Sequence, residues 1–356
     1  MNLRLSSDIN KGATVFLSHV RRTFARYPID YTGELVRLLD DISIFTRTIS
    51  SYVNENAPTI QYGKVGRGEH ADETEGTVDE GEIDAAFATR KLYQMLENDG
   101  YCCIILAKGT ETPLTFPENV PNGNYVVTVS PLDYDDEQQL GHKPVAGTVF
   151  SIYKRKSSAS LPGRRIDLLQ KAKDQVAAGY CVYSSATTLH YTMGHGLYSF
   201  VMHPVALQYF LQPAMRVTLP ENPSAVYSDR RFVKKQDGVL GRCIAKCLDK
   251  HCGSMYGTGC LVGDVHLMLQ NGGVVVGKDA HFLCETAPFS FIIEQAGGVA
   301  LNESGARIMD LQVLDDANMQ VTLVAGSPIT MKNLGQELQS PMNGDVDEDM
   351  KVNGDH

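Results

Sequence analysis

Four residues close together carry the donor atoms of a metal site: Cys243 and Cys247, one helical turn apart, followed by His251 and Cys252. Thiolate and imidazole at such distances are zinc ligands. The same spacing also describes one helix face packed on a core, where a free cysteine acts as a small apolar side chain. The packing reading is preferred, because none of the eight cysteines forms a C-x-x-C pair. Reduced thiols follow. His190 and His195 make a looser pair, while His203 and His281 have no partner at ligand spacing and count as bystanders unless a cleft collects them.

The chain that must position such groups has 356 residues, 43% of them hydrophobic, enough for a sizeable core. Thirty-two basic against 42 acidic residues leave a net charge of −10, which gives no electrostatic basis for binding nucleic acid or an anionic membrane. Small molecules or other proteins are the expected partners. No apolar run is long enough to span a bilayer, and MNLRLSSDIN lacks the apolar stretch of a secretory signal, so the expected location is cytoplasmic.

Apolar residues at helical spacing (Leu35, Leu38, Leu39, Ile42, Phe45, Ile49) predict an amphipathic helix over 32–53, capped by Thr32. Residues 61–82 are rich in Gly and acid and predict a mobile loop. A second helix is expected over 83–97, then strands in YCCIILA, NYVVTVS and GTVFSIYK, with a turn through SPLDYDDEQQLGHKP. In the second half, AAGYCVYSS and LYSFVMHP read as strands, and RCIAKCLDK, GDVHLMLQNGG and APFSFIIEQAGG as helices. The class is mixed α/β. Residues 340–356 have little to bury and are expected to be disordered.

Several of these segments, in order, resemble the fructose-1,6- and sedoheptulose-1,7-bisphosphatases. TGELVRLL resembles the family's N-terminal helix, SPLDYDD its D-P-L-D-G-S-S loop and GTVFSIYK its G-T-I-F-G-I-Y strand. AAGYCVYSSAT, GCLVGDVH and CETAPFSFIIEQAGG match three further family segments. The resemblance implies an α/β fold of alternating sheets and helices in two subdomains, here 10–200 and 201–335, and a homo-oligomer, dimer or tetramer.

It also implies phosphate-ester hydrolysis by magnesium ions held in a carboxylate cage. Three cage positions carry acids here: Asp84, Asp133 and Glu285. The family's adjacent Glu pair falls on Ala107 and Lys108, and the first Asp of D-P-L-D on Ser130. Lys108 therefore brings an ammonium to a cation's place. On this basis the catalytic candidates are Lys108, Asp133, Glu285 and Asp84, with no metal ligand and no cofactor expected, magnesium entering only in an alternative reading. The substrate-binding candidates are Tyr134, Asp135 and Asp136, where the family has G-S-S, and Asn271, Lys278 and Tyr256 at the distal phosphate. Asp264 and His266 fall in the helix match as scaffold groups. In the animal branch, the T-G-E-L-T helix end and a Lys-Tyr pair hold the phosphate of AMP. Here they are Thr32 to Val36, Asn124 and Tyr125, and AMP control is not expected.

Three functions follow as expectations: a repurposed enzyme using metal-independent acid–base chemistry of isomerase, lyase or cyclase type, an inactive pseudophosphatase, or a weak magnesium-dependent sugar bisphosphatase.

Overall fold

The computed structural model describes residues 14–30, 32–63, 84–117, 119–134, 145–221, 225–228, 238–248 and 254–339. The expected 61–82 loop lies almost wholly outside these residues, and the expected disordered tail entirely so.

Three helices open the chain: α1 (Phe16–Arg26), α2 (Glu34–Gly63) and α3 (Ala85–Asp99). The apolar stripe of α2 is buried from Leu35 to Val53, with Leu38, Leu39, Ile42, Phe45 and Ile49 between. Each such side chain contributes about 1.5–3 kcal/mol on leaving water. The stripe packs with Phe16 and Val20 of α1, and Leu92 and Leu96 of α3, on one face of a large sheet.

That sheet has eight strands in the order β2-β1-β3-β4-β5-β6-β7-β8. Its strands are β1 (Cys102–Ala107), β2 (Leu114–Thr115), β3 (Tyr125–Asp133), β4 (Ala146–Lys154), β5 (Gln175–Tyr183), β6 (Thr188–Thr192), β7 (Leu197–Met202) and β8 (Tyr209–Val217). All six residues of β1 are buried. A strand covered on both faces needs such an unbroken apolar run. β1 and β3 run parallel, so their C-terminal ends, carrying Lys108 and Asp133, emerge on the same edge.

A second sheet has the order β10-β9-β11-β13-β12. It comprises β9 (Val226–Ser228), β10 (Met255–Tyr256), β11 (Val274–His281), β12 (Val299–Leu301) and β13 (Gln320–Gly326). Between the sheets lie α5 (Leu261–Asn271) and α6 (Ala287–Gln295), whose Val262, Val265, Phe289 and Ile292 join both inner faces in one core. Beyond the second sheet lie α4 (Gly238–Cys247) and α7 (Pro328–Gln339), packed through Ile244, Met331 and Leu334. Helices, sheet, helices, sheet, helices: the layers alternate.

α5 presses hard on the first sheet. A Cβ at Gly147 of β4 would lie 2.3 Å from Val262 Cγ1. Only glycine admits that approach, which brings the start of α5 against the end of β3.

Thr32 caps α2 as expected, its hydroxyl accepting from Glu34 N–H (3.3 Å), and Asp30 adds a larger share that the pattern did not show: its Oδ1 accepts from the backbone N–H of Gly33 (2.7 Å) and Thr32 (2.9 Å), and its Oδ2 from that of Leu35 (3.4 Å) and from the Tyr125 hydroxyl. The segment with Cys243, Cys247, His251 and Cys252, read as packing, is described only in part. Cys243 is buried in the core, while His251 and Cys252 lie outside the described residues.

Candidate functional site

Lys108 follows β1 directly, and a turn closed by Thr110 N–H on the Ala107 carbonyl (3.1 Å) bends the chain away there. Asp133 ends β3 after a register shift between Ser130 and Asp133. Glu285 lies in a π-helical turn, Phe282–Thr286, between β11 and α6. Such turns displace a side chain from the regular helical stagger and recur at functional sites.

These three side chains meet. Lys108 Nζ donates to Glu285 Oε1 at 2.6 Å and lies 3.8 Å from Asp133 Oδ1. The Glu285 side chain is 3% exposed, that of Asp133 11% and that of Lys108 43%, so the lysine reaches two buried acids from the solvent side. Each acid has a second anchor. Glu285 Oε2 accepts from His281 N–H at 3.0 Å, and Asp133 Oδ2 from Val262 N–H at 3.2 Å in the first turn of α5. That helix end favours a carboxylate.

Burial pushes the Asp133 carboxyl up to about 6, with the Glu285 charge adding and the Lys108 ammonium opposing. For Lys108, burial pulls down, but the charges of Glu285 and Asp133 outweigh it and hold the ammonium above the ordinary lysine value. The site thus holds a fixed cation beside an acid that titrates near neutrality.

The cluster lines a cavity of about 630 Å3. His281, Asp264, Lys278 and Asn318 share its wall. His281 accepts from Cys284 N–H at Nδ1 (3.2 Å), leaving its proton on Nε2, which faces Asn318 Oδ1 at 3.3 Å. Burial lowers its pKa and keeps the ring neutral. Asp264 accepts from the backbone N–H (2.7 Å) and hydroxyl (2.9 Å) of Thr258.

The remaining candidates divide. Lys278 lines the cavity, with Nζ 3.8 Å from Asp279. Asp84 does not join the cluster: its Oδ1 caps α3 at Ala86 N–H (2.7 Å) and its Oδ2 pairs with Arg90 (3.2 Å). Helix capping claims it, as the Asp-first spacing at the start of α3 allows. Tyr134 packs at the margin of the α1–α3 core, Asn271 is exposed at the end of α5, and Tyr256 is 55% exposed and stacks on Tyr227. None of the three is among the residues lining the cavity. Asp135 and Asp136 lie outside the described residues. His281, passed over in the sequence, is collected by the cleft. Its place four residues before Glu285 was the available signal.

A family model described as fructose-1-6-bisphosphatase, N-terminal domain, matches residues 21–212, and its C-terminal-domain counterpart matches 220–339. The chain belongs to the fructose-1,6-bisphosphatase family. A class 1 fructose-1,6-bisphosphatase of Maridesulfovibrio salexigens is 30% identical over 317 residues, covering 83% of this chain and 89% of that protein. One of Crocosphaera subtropica is 32% identical over 255 residues, 68% of this chain and 69% of that protein. In structure, fructose-1,6-bisphosphatase of Leishmania major in the T-state superposes with a TM-score of 0.75 at 19% identity, covering 93% of this chain and all (100%) of that one.

Family membership corrects one expectation. The fructose-1,6-bisphosphatases are metal-dependent phosphatases, so the reading that no cofactor is needed does not stand. The residues admit the ion's chemistry: magnesium takes oxygen ligands and is often held by one or two carboxylates completed by water and substrate phosphate. Asp133 and Glu285 would hold it, and Lys108, half in solvent, is the group that must withdraw. Bound there, it would neutralise charge on a phosphoryl group. Among the described residues no His, Cys, Asp or Glu cluster of three or more is arranged as a metal site.

Proposed function

We propose that the Lys108–Glu285–Asp133 cluster is the reaction centre of a fructose-bisphosphatase-like enzyme that performs acid–base chemistry on a small organic molecule, of the isomerase, lyase or cyclase type. The observation that carries it is one ammonium 2.6 Å from Glu285 and 3.8 Å from Asp133 at the wall of a cavity of about 630 Å3. The cavity is of a size that suits a sugar-sized ligand.

The roles follow from the environments. Lys108, charged throughout the neutral range, stabilises or protonates an oxyanion forming on the ligand. Asp133, with its carboxyl raised to about 6, accepts a proton near neutral pH. Glu285 holds the ammonium in place, and neutral His281 fixes Glu285 through its backbone N–H. Lys278 at the rim supplies a second positive charge for an anionic substituent. The working form in this proposal is a cytoplasmic homo-oligomer.

A second reading, a magnesium-dependent sugar bisphosphatase, is favoured by the 30% identity over 317 residues to a class 1 fructose-1,6-bisphosphatase and by the paired carboxylates. The two are separated by following fructose-1,6-bisphosphate by phosphorus NMR, with and without millimolar magnesium. Conversion without phosphate release, abolished in Lys108→Ala, supports the first reading. Magnesium-dependent phosphate release replaces it with the second, and an unchanged substrate in both arms rejects both for this sugar.

A further inference from the structure

A second cavity, of about 690 Å3, lies between α1 and the strands β7 and β8, and shares no lining residue with the first. One face of α1 forms its wall: His19, Arg22, Thr23 and Arg26 stand at i, i+3, i+4 and i+7. Tyr198 of β7 and Arg216 of β8 face them. Three guanidiniums therefore border one space, on a chain whose net charge is −10.

No acid is among the residues lining that space. Among the described residues, none of the three arginines has an ion-pair partner. Their contacts are neutral: Arg22 donates to the Thr14 hydroxyl at 2.8 Å, and Arg216 Nε to the Tyr198 hydroxyl at 3.4 Å. Arg216 also lies over the Tyr198 ring at 5.7 Å, and Arg26 over the Tyr27 ring at 5.4 Å. These aromatic contacts orient the guanidiniums of Arg26 and Arg216, and no counter-charge meets the three arginines among the described residues. The neighbourhood feels that charge, since burial and then Arg22 push His19 down to about 4.

Like charges gathered without a counter-charge oppose folding, whereas an oxyanion placed among them is held by paired N–H donors. Arginine suits that task because its planar fork binds phosphate at two points. We propose that this pocket binds a small polyanion carrying at least two phosphoryl groups, gripped by Arg22, Arg26 and Arg216 with Tyr27 and Tyr198 as its walls. The cavity volume lies within the range of small-ligand sites.

The test is calorimetric titration of the full chain with inorganic pyrophosphate, comparing wild type, Arg26→Gln, Arg216→Gln and Lys278→Gln. Both arginines are exposed, so their replacement leaves the core intact, and circular dichroism verifies it. The expected result is saturable binding that weakens with salt, loses at least tenfold in affinity in each arginine variant, and is unchanged in Lys278→Gln. No binding at millimolar pyrophosphate overturns the proposal. So does binding that depends on Lys278 and not on the arginines, which would place pyrophosphate in the first cavity. Arginine variants that alter the oligomeric mass without altering pyrophosphate affinity would also overturn it, and would make this face a contact between subunits.

Discussion

Replacing Lys108 with methionine removes one charge from a cluster in which two carboxylates are buried. At 2.6 Å, and with an effective dielectric of about 20, two full charges attract by about 6 kcal/mol before desolvation is counted. The Lys108 side chain is 43% exposed, so solvent screens much of this and part of the remainder is offset by desolvating Glu285. The net loss for Lys108→Met is then about 1–3 kcal/mol, above a surface pair and below a fully buried one. Glu285→Gln keeps the shape and frees the lysine to solvent, so it costs less. The double variant should unfold close to Glu285→Gln, giving a coupling energy of about 1–2 kcal/mol in a double-mutant cycle. Urea denaturation at pH 7 measures all four proteins. Because the folded lysine titrates above its ordinary 10.5, the pair's contribution is complete below that value and is lost as pH rises through the raised one. A Lys108→Met protein within about 0.5 kcal/mol of wild type, a typical surface effect, would refute the ion pair.

Further expectations follow from the same groups. Asp133 is raised to about 6 when folded, so its contribution to stability is complete below its ordinary 3.8 and lost as pH rises through about 6. Asp133→Asn should flatten that loss in thermal melts between pH 4 and 7, and an unaltered profile would reassign it. Asp30 is held below its ordinary value, since hydrogen bonds from Tyr125 and from the Gly33, Leu35 and Thr32 amides overcome its burial. Asp30→Ala should cost about 1–2 kcal/mol at pH 7, as a lost helix cap does, with the difference shrinking as pH falls through the depressed value. Equal stability at pH 7 would dismiss the cap. Magnesium should bind Lys108→Met at least tenfold more tightly than wild type in calorimetry, and equal affinities would show that the ammonium does not compete for the pair.

The sequence already exposed the large elements, because a helix such as α2 carries its burial pattern in its own spacing and β1 is apolar throughout. The strands Val274–His281 and Gln320–Gly326 escaped notice. Their identity depends on pairing with each other and with Val226–Ser228, a long-range choice that local pattern does not encode. Within the site, collinear motifs brought Lys108, Asp133 and Glu285 to one edge, since motif order fixes which strand ends are neighbours. They could not foresee that a π turn carries Glu285, or that Asp84 turns to Arg90 and its own helix amides. His281 escaped for a different reason: its function passes through a backbone N–H and a ring nitrogen engaged with Cys284, neither of which depends on a ligand-spaced neighbour.

Two of this chain's own charges stand where a member of this family would be expected to receive a ligand's charge. Asp30 gives a carboxylate to the amides at the start of α2, beside Tyr125, in the position the resemblance associates with a nucleotide phosphate. Lys108 gives an ammonium to Asp133 and Glu285, in the position associated with a cation. In each case the sign is that of the ligand replaced. A tethered group has an effective concentration that a free ion reaches only in the millimolar range, so it is present without being recruited. An incoming nucleotide must therefore displace Asp30, and an incoming magnesium must displace Lys108, each losing from its affinity the energy of the contact it breaks. The two sites differ in how easily that occurs. Asp30 is fixed by five donors, four on one short stretch and one on Tyr125, whereas Lys108 is a long, half-exposed side chain with one short bond. Cation entry at the cleft is thus the cheaper displacement, which makes Lys108 the residue whose replacement distinguishes an internal charge that serves the chemistry from one that merely holds the place.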